Sequence, residues 1–232
     1  MRPAVTLPDR ATALIDFWFG PPDGPGREQH RGIWFRATEE FDAALRREFL
    51  ADYEAAAAGT SRSWEASPEG ALALVLLLDQ VPRNIFRGTP RAYATDAEAC
   101  AVGERALERG FDQMVPPAWR LFFYMPFHHS EDLADQRRSV ALFDALPRNR
   151  DRGGGLRRYG CPYVEVIERF GRFPHRNEVL GRQSTPEEIA LLAERESLLA
   201  RAAREAEQSC RGSNGPALHE QGCDHEDKDA RE

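Results

Sequence analysis

An all-α fold is predicted by three features of the chain. Apolar residues recur at helical spacing along most of its length, the breaks between those segments carry helix punctuation, and no stretch shows the two-residue alternation of a half-buried strand. The first clear element is capped by Thr38, with Glu39 and Glu40 in the opening turn. Its stripe of Phe41, Leu45, Phe49, Tyr53 and Ala56 runs to a stop at Gly59. Ser67 and Pro68 open the next, which contains the run "ALALVLLL" at 71–78; apolar on every face, this segment should be buried on all sides at the centre of the domain. That helix is expected to end on Asp79. Thr95 or Asp96 caps a helix that closes at Gly110, and Pro116 and Pro117 start "AWRLFFY", which Pro126 should bend or end. Ser130 is the expected cap of "EDLADQRRSVALFDAL". A glycine- and arginine-rich loop at 147–158 follows, then a helix from Pro162 to Gly171, another first turn at Pro174, and a last long helix from Thr185 and Pro186 to about residue 207.

From Ser209 the chain has low hydrophobicity, glycine, proline and mixed charge, too little apolar area to offset its ordering entropy. The domain organisation expected is therefore one helical domain over 1–207 and a disordered acidic tail over 208–232. The tail holds Cys210, His219, Cys223 and His225, but their spacing matches no zinc module, so no metal is assigned.

Composition narrows the function classes. At 232 residues and 41% hydrophobic the chain can build a real core, while a net charge of −7 argues against general affinity for nucleic acid or anionic membranes. Small molecules or proteins are the expected partners. The longest apolar run is far short of a membrane span and no signal-type segment opens the chain, which predicts a cytoplasmic protein. The four cysteines contain no Cys-x-x-Cys pair and read as reduced thiols. No Gly-rich phosphate loop, His-Glu-x-x-His helix or nucleophile elbow is present, and no cofactor is expected. Lys228 is the sole lysine among 31 basic residues, so arginine enrichment is chain-wide and lowers the value of any single arginine as a clue.

Three polar breaks stand against the apolar pattern. In "LDQVPRNIFRG", Asp79 places a negative charge where a helix C-terminus prefers a positive one; Arg83 and Asn84 either neutralise it in a buried capping network or, with Asp79 and Gln80, line a pocket. In "MPFHHSEDLADQRRSV", Leu133, Gln136, Val140 and Phe143 share a helical face, which puts the Gln136 amide inside an apolar stripe where it must find partners. Ser130, Glu131 and Asp132 read as a cap with acids in the first turn. His128 and His129 cannot both point the same way on an extended backbone, so at most one belongs to a site. In "ERFGRFPHRNEVLGR", His175, Arg176 and Asn177 occupy the turn after Pro174, where free backbone N–H groups would attract an anion and Arg169, Arg172 and Arg176 would strengthen the attraction. The competing reading is that these arginines meet Asp79, Glu131 or Asp132 as internal salt bridges.

Five ordered blocks, "LIDFWFG", "WFRATEEFDAALRREF", "LALVLLLDQVPRNIFRGTPRAYATD", "YMPFHHSEDLADQ" and "RFGRFPHRNEVLGRQSTPEE", resemble the bacterial Domain of Unknown Function 924 family over about Leu14 to Leu192. The resemblance implies a tetratricopeptide-repeat-like stack of antiparallel helices, an αα superhelix, although no repeat of roughly 34 residues is legible. It assigns no activity. It does imply that Asp79, Gln80, Arg83, Asn84, His129, Ser130, Glu131, Asp132, Gln136, Arg169, Arg172, His175, Arg176 and Asn177 belong to the shared polar pattern. The chain departs from that pattern at His128, where the family more often has an apolar residue, and at Tyr163, where it commonly has histidine. The glycines at 153–155 look like an insertion.

These readings give three expectations for function. The first is a pocket of helix ends that binds a small anion or an acidic peptide through Asp79, Gln80, Arg83, Asn84, Ser130, Glu131, Gln136, Arg169, Arg172, Arg176 and Asn177. The second is an enzyme, a hydrolase for example, with His129 or His175 as general base and Asp79 or Glu131 orienting it. The third is a scaffold that meets protein partners through its outer helical faces.

Overall fold

The computed structural model describes residues 9–29, 31–34, 37–146 and 157–194, with the backbone alone over 157–162. Every regular element among them is helical. They are α1 (Asp9–Phe19), α2 (Glu39–Ala57), α3 (Pro68–Val75), α4 (Val81–Ile85), α5 (Asp96–Glu108), α6 (Pro117–His129), α7 (Leu133–Asp144) and α8 (Arg157–Phe170), joined by short 3₁₀ turns and one π turn. The chain divides into two compact units, Met1–Ser184 and Thr185–Glu232. In the second, residues 186–194 are helical, and Thr185 and Glu188 exchange side-chain-to-backbone hydrogen bonds that cap this helix. The boundary expected at 207, the acidic tail and the 147–156 loop lie outside the described residues. So do the side chain of Cys161 and the residues Cys210 and Cys223; Cys100 carries a free thiol. No helix among the described residues is long and apolar enough to cross a membrane.

The stripe on α2 behaves as its spacing predicts. The Thr38 hydroxyl accepts from the Phe41 N–H at 3.2 Å, and Leu45, Phe49, Tyr53 and Ala56 are buried. Ser67 caps α3 through the Gly70 N–H, Pro68 takes the first helical position, and every residue of 71–78 is buried. Helices α1, α5 and α6 all pack on α3, so the segment with no polar face is the one with neighbours around it. Beyond α3, successive helices pack on one another: α5 on α6, α6 on α7 and α7 on α8.

Several boundaries differ from the sequence reading. The buried helix does not end on Asp79. It widens into a π turn over Leu76–Gln80, with the Val81 N–H donating to the Leu76 carbonyl, and continues as α4. Pro82 brings no N–H for the Leu78 carbonyl four residues earlier, and the Thr95 hydroxyl donates to that carbonyl instead, at 2.6 Å. Thr95 thus serves α3–α4 while standing at the N-terminus of α5, where its side chain makes no capping bond. Thr95→Val should leave the buried carbonyl unsatisfied and cost about 1–3 kcal/mol, read as a lowered melting temperature, whereas Thr95→Ser should cost much less.

Helix α6 runs three residues past Pro126, to His129. Its end is held by Gln136 of α7, whose fully buried amide donates to the carbonyls of Phe127 (3.3 Å), His128 (2.7 Å) and Ser130 (2.7 Å). The amide that the stripe placed in the core therefore closes the preceding helix. Asp132, rather than Ser130, caps α7: its carboxylate accepts from the Ala134 and Asp135 N–H groups, and the Ser130 hydroxyl accepts from the Asp132 N–H. A carboxylate suits this place better than a hydroxyl because the helix dipole favours negative charge. Helix α8 begins at Arg157, so Pro162 lies inside it.

Candidate functional site

A further difference concerns the turn after Pro174, which is a three-residue 3₁₀ turn rather than the start of a helix. Two of its backbone donors are engaged: the Arg176 N–H donates to Phe173 O at 3.0 Å and the Asn177 N–H to Pro174 O at 3.0 Å. These two donors are thus not turned outward to an anion. The turn instead places Arg176, which is buried, against α5 and the end of α6. Its guanidinium donates to Asp96 Oδ2 at 3.0 Å and to the His129 carbonyl at 2.8 Å, with the Tyr93 and Phe173 rings on its faces.

A cavity of about 570 Å³ opens beside this junction. Asp96, Ala97 and Cys100 of α5 form one wall, and His129, Ser130, Glu131 and Asp135 form another, from the end of α6 into α7. Arg176 and Leu180 close a third side, and Pro90, Tyr93 and Ala94 supply the rest. Its volume falls in the range of small-molecule sites.

Asp79 stands behind His129, fully buried on the π turn. Its Oδ1 is 2.8 Å from His129 Nδ1 and 3.1 Å from Arg83 Nη1, and its Oδ2 accepts from the Gln80 amide at 2.5 Å. Burial by itself would push the carboxyl up; Arg83, His129 and Gln80 outweigh it and hold Asp79 well below the usual carboxylate range. Burial and the Arg83 charge lower the pKa of His129, against the opposing pull of Asp79. The pair is thus an ionised carboxylate and a neutral imidazole. An ionised carboxylate only accepts, so Nδ1 carries the proton and Nε2 keeps its lone pair. Nε2 has no hydrogen-bond partner among the described residues.

Arg83, Arg176 and Arg182 are each paired with carboxylates. Arg83 bridges Asp79 and, at 2.9 Å, Asp96; Arg182 forks onto both oxygens of Glu131 at 2.8 and 2.9 Å. Burial opposes ionisation of Glu131, but Arg182 and the Phe173 N–H, which donates to Oε1 at 2.7 Å, hold its pKa below the ordinary value. The Cys100 thiol is pushed far up by burial, then by the charges of Asp135, Asp79 and Asp96, and stays protonated at neutral pH. Cys100 is therefore no nucleophile in this setting.

Of the residues singled out in the sequence, His129, Ser130, Glu131 and Arg176 stand on the cavity wall, while Asp79, Gln80 and Arg83 form the layer behind it. Asn84 donates to the Gln80 carbonyl and Asn177 to Ser184 Oγ, both away from the wall. Arg169 is exposed over the Phe170 ring, and Arg172 donates to the Gln183 carbonyl. His175 is exposed beside Phe173, with ring centroids 5.4 Å apart, and is not on the wall, so His129 alone of the two catalytic candidates faces the cavity. The sequence reading missed Tyr93, Cys100, Asp135, Leu180 and Arg182, and took Asp96 only as a cap. Asp96 and Cys100 are four apart, one helical turn, but nothing marked that face as turned toward His129.

His128 is buried and turned away, its ring stacked on Tyr163 at 4.3 Å and 16°. The two positions at which the resemblance implies a departure from the family thus touch each other. Tyr163 packs in this aromatic layer rather than on the cavity wall.

A family model described as "Bacterial protein of unknown function (DUF924)" matches residues 14–196. The chain belongs to this family. The structure of a protein of unknown function, ATU0120 from Agrobacterium tumefaciens, is similar to this DUF924 chain, with 41% sequence identity over 79% of this chain and 97% of the other and a TM-score of 0.69. A search of curated proteins found no match.

Proposed function

We propose that this DUF924 protein is an enzyme acting on a small polar molecule, with His129 as general base and Asp79 as the residue that positions it. The observation that carries the reading is the 2.8 Å contact between His129 Nδ1 and a fully buried, ionised Asp79, with the ring at the wall of a cavity large enough for a substrate. A carboxylate on Nδ1 fixes the tautomer and leaves Nε2 to accept a proton from a hydroxyl, water or amine in the cavity. As the proton arrives, the same carboxylate stabilises the imidazolium. Arg83, paired with both Asp79 and Asp96, keeps the buried carboxylate ionised and the resting imidazole neutral.

The alternative of simple anion binding is less well supported by the geometry. Arg83, Arg176 and Arg182 all meet carboxylates, and the Arg176 and Asn177 N–H groups donate within the turn after Pro174. A scaffold role would leave the His129–Asp79 contact without purpose beyond stability.

The test is turnover of a panel of small esters, amides and amino or hydroxy compounds by the wild type and His129→Gln. Turnover should fall roughly 10²–10⁴-fold in the variant. Because the base is the neutral imidazole and its pKa lies below the ordinary value, wild-type rate should be flat above about pH 6.5 and decline only on the acid side. A folded His129→Gln protein that turns over at the wild-type rate, or no turnover by the wild type on any class, rejects the assignment.

A further inference from the structure

We infer that the guest of the cavity carries a protonated amine, seated against the carboxylate of Asp135 beside His129. This deepens the general-base reading and rests on it for the place of the site. The argument is one of charge matching. Asp79, Asp96 and Glu131 are each met by a guanidinium, from Arg83, from Arg83 and Arg176, and from Arg182. Asp135 lines the same cavity from the first turn of α7, and its carboxylate makes no hydrogen bond or ion pair among the described residues.

Among the described residues the unmatched charge at the wall is therefore negative. An anionic guest would meet Asp135 with Arg83, Arg176 and Arg182 each already paired with a carboxylate, whereas an ammonium would complete the pairing. The Cys100 thiol on the same wall reports this field, since Asp135, Asp79 and Asp96 all raise its pKa after burial has done so. An ammonium next to the imidazole would also discourage protonation of His129 and so keep the base in its working form. A metal ion is a poorer fit than an organic cation: no group of three or more His, Cys, Asp or Glu side chains able to hold one occurs among the described residues.

The test uses the full chain and simple probes of matched size: n-butylamine and putrescine as cations, n-butanol as the neutral analogue and butyrate as the anion. Thermal-shift and calorimetric titration should show the amines binding and butyrate not binding. Asp135→Asn should weaken the amines about tenfold or more, the loss of one charge-assisted hydrogen bond. Added salt should weaken them as well, because Asp135 is only half-buried. His129→Gln should keep amine binding while losing turnover, which separates this inference from the general-base reading. Butyrate binding as well as the amines, no amine response, or an amine response undiminished in Asp135→Asn would each overturn the inference. Turnover that still depends on His129 in any of those cases would leave the base assignment standing alone.

Discussion

Asp79→Asn is expected to destabilise the protein by roughly 3–5 kcal/mol, measured from urea denaturation midpoints at neutral pH. The substitution keeps the shape of the side chain and removes its charge. Arg83 then sits largely buried with only one of its two carboxylates, and the Nδ1–H of His129 faces a weaker acceptor. Removing one partner of a buried pair leaves the other charge desolvated, and that is the main cost. Pairing the change with Arg83→Gln should recover part of the loss, since the orphaned charge goes too. The measurement also bears on function. A loss under about 1 kcal/mol, or a gain, would mean that the network is not an internal partner set and that its charges are held for a guest.

The second large effect is acid destabilisation centred on His128. Burial, then the neighbouring His129, push its pKa down to about 3, while the unfolded chain takes up the same proton near 6.5. Above about pH 6.5 the imidazole is neutral in both states and contributes nothing. As pH falls below that, the unfolded state gains a proton that the folded state refuses. Stability drops by about 1.4 kcal/mol per pH unit until the folded group titrates, or about 3 kcal/mol by pH 4.5. His128→Phe keeps a ring for Tyr163 to stack on and removes the titration. Its stability should therefore fall less steeply between pH 6.5 and 4.5 than the wild type, with the remaining slope owed in part to His129, whose shift has the same sign. Parallel pH profiles for the two proteins would show that His128 is not the group responsible.

The two aromatic departures at 128 and 163 show how far sequence reasoning reaches here. Each is visible as an exception to the shared pattern, but that they form one stacked pair depends on how α6 and α8 come together, and no local spacing encodes that. The same holds for Asp135. On α7 it reads as one more first-turn acid, and its isolation becomes apparent only when the arginines nearby are seen to be engaged elsewhere.

Helices α2 and α3 were legible because their causes are local: a hydroxyl cap, proline at the first turn, glycine past the end, an apolar face of the right period. Where a long-range partner replaced a local one, the reading failed. Thr95 satisfies the carbonyl that Pro82 leaves open, so the helix continues through Asp79 instead of stopping.

The sequence by itself determined that the chain is helical, which segment lies at its centre, and that Asp79, His129 and the arginines are out of place in an apolar pattern. Tertiary structure alone decided which carboxylate each arginine meets, that His129 and not His175 faces a cavity, and that Asp135 is left unmatched among the described residues. The reason is physical: helix formation depends on neighbours within a few positions, whereas charge pairing depends on which groups lie within about 4 Å in space, and here those partners are separated by 50 residues from His129 to Asp79 and 80 from Arg176 to Asp96.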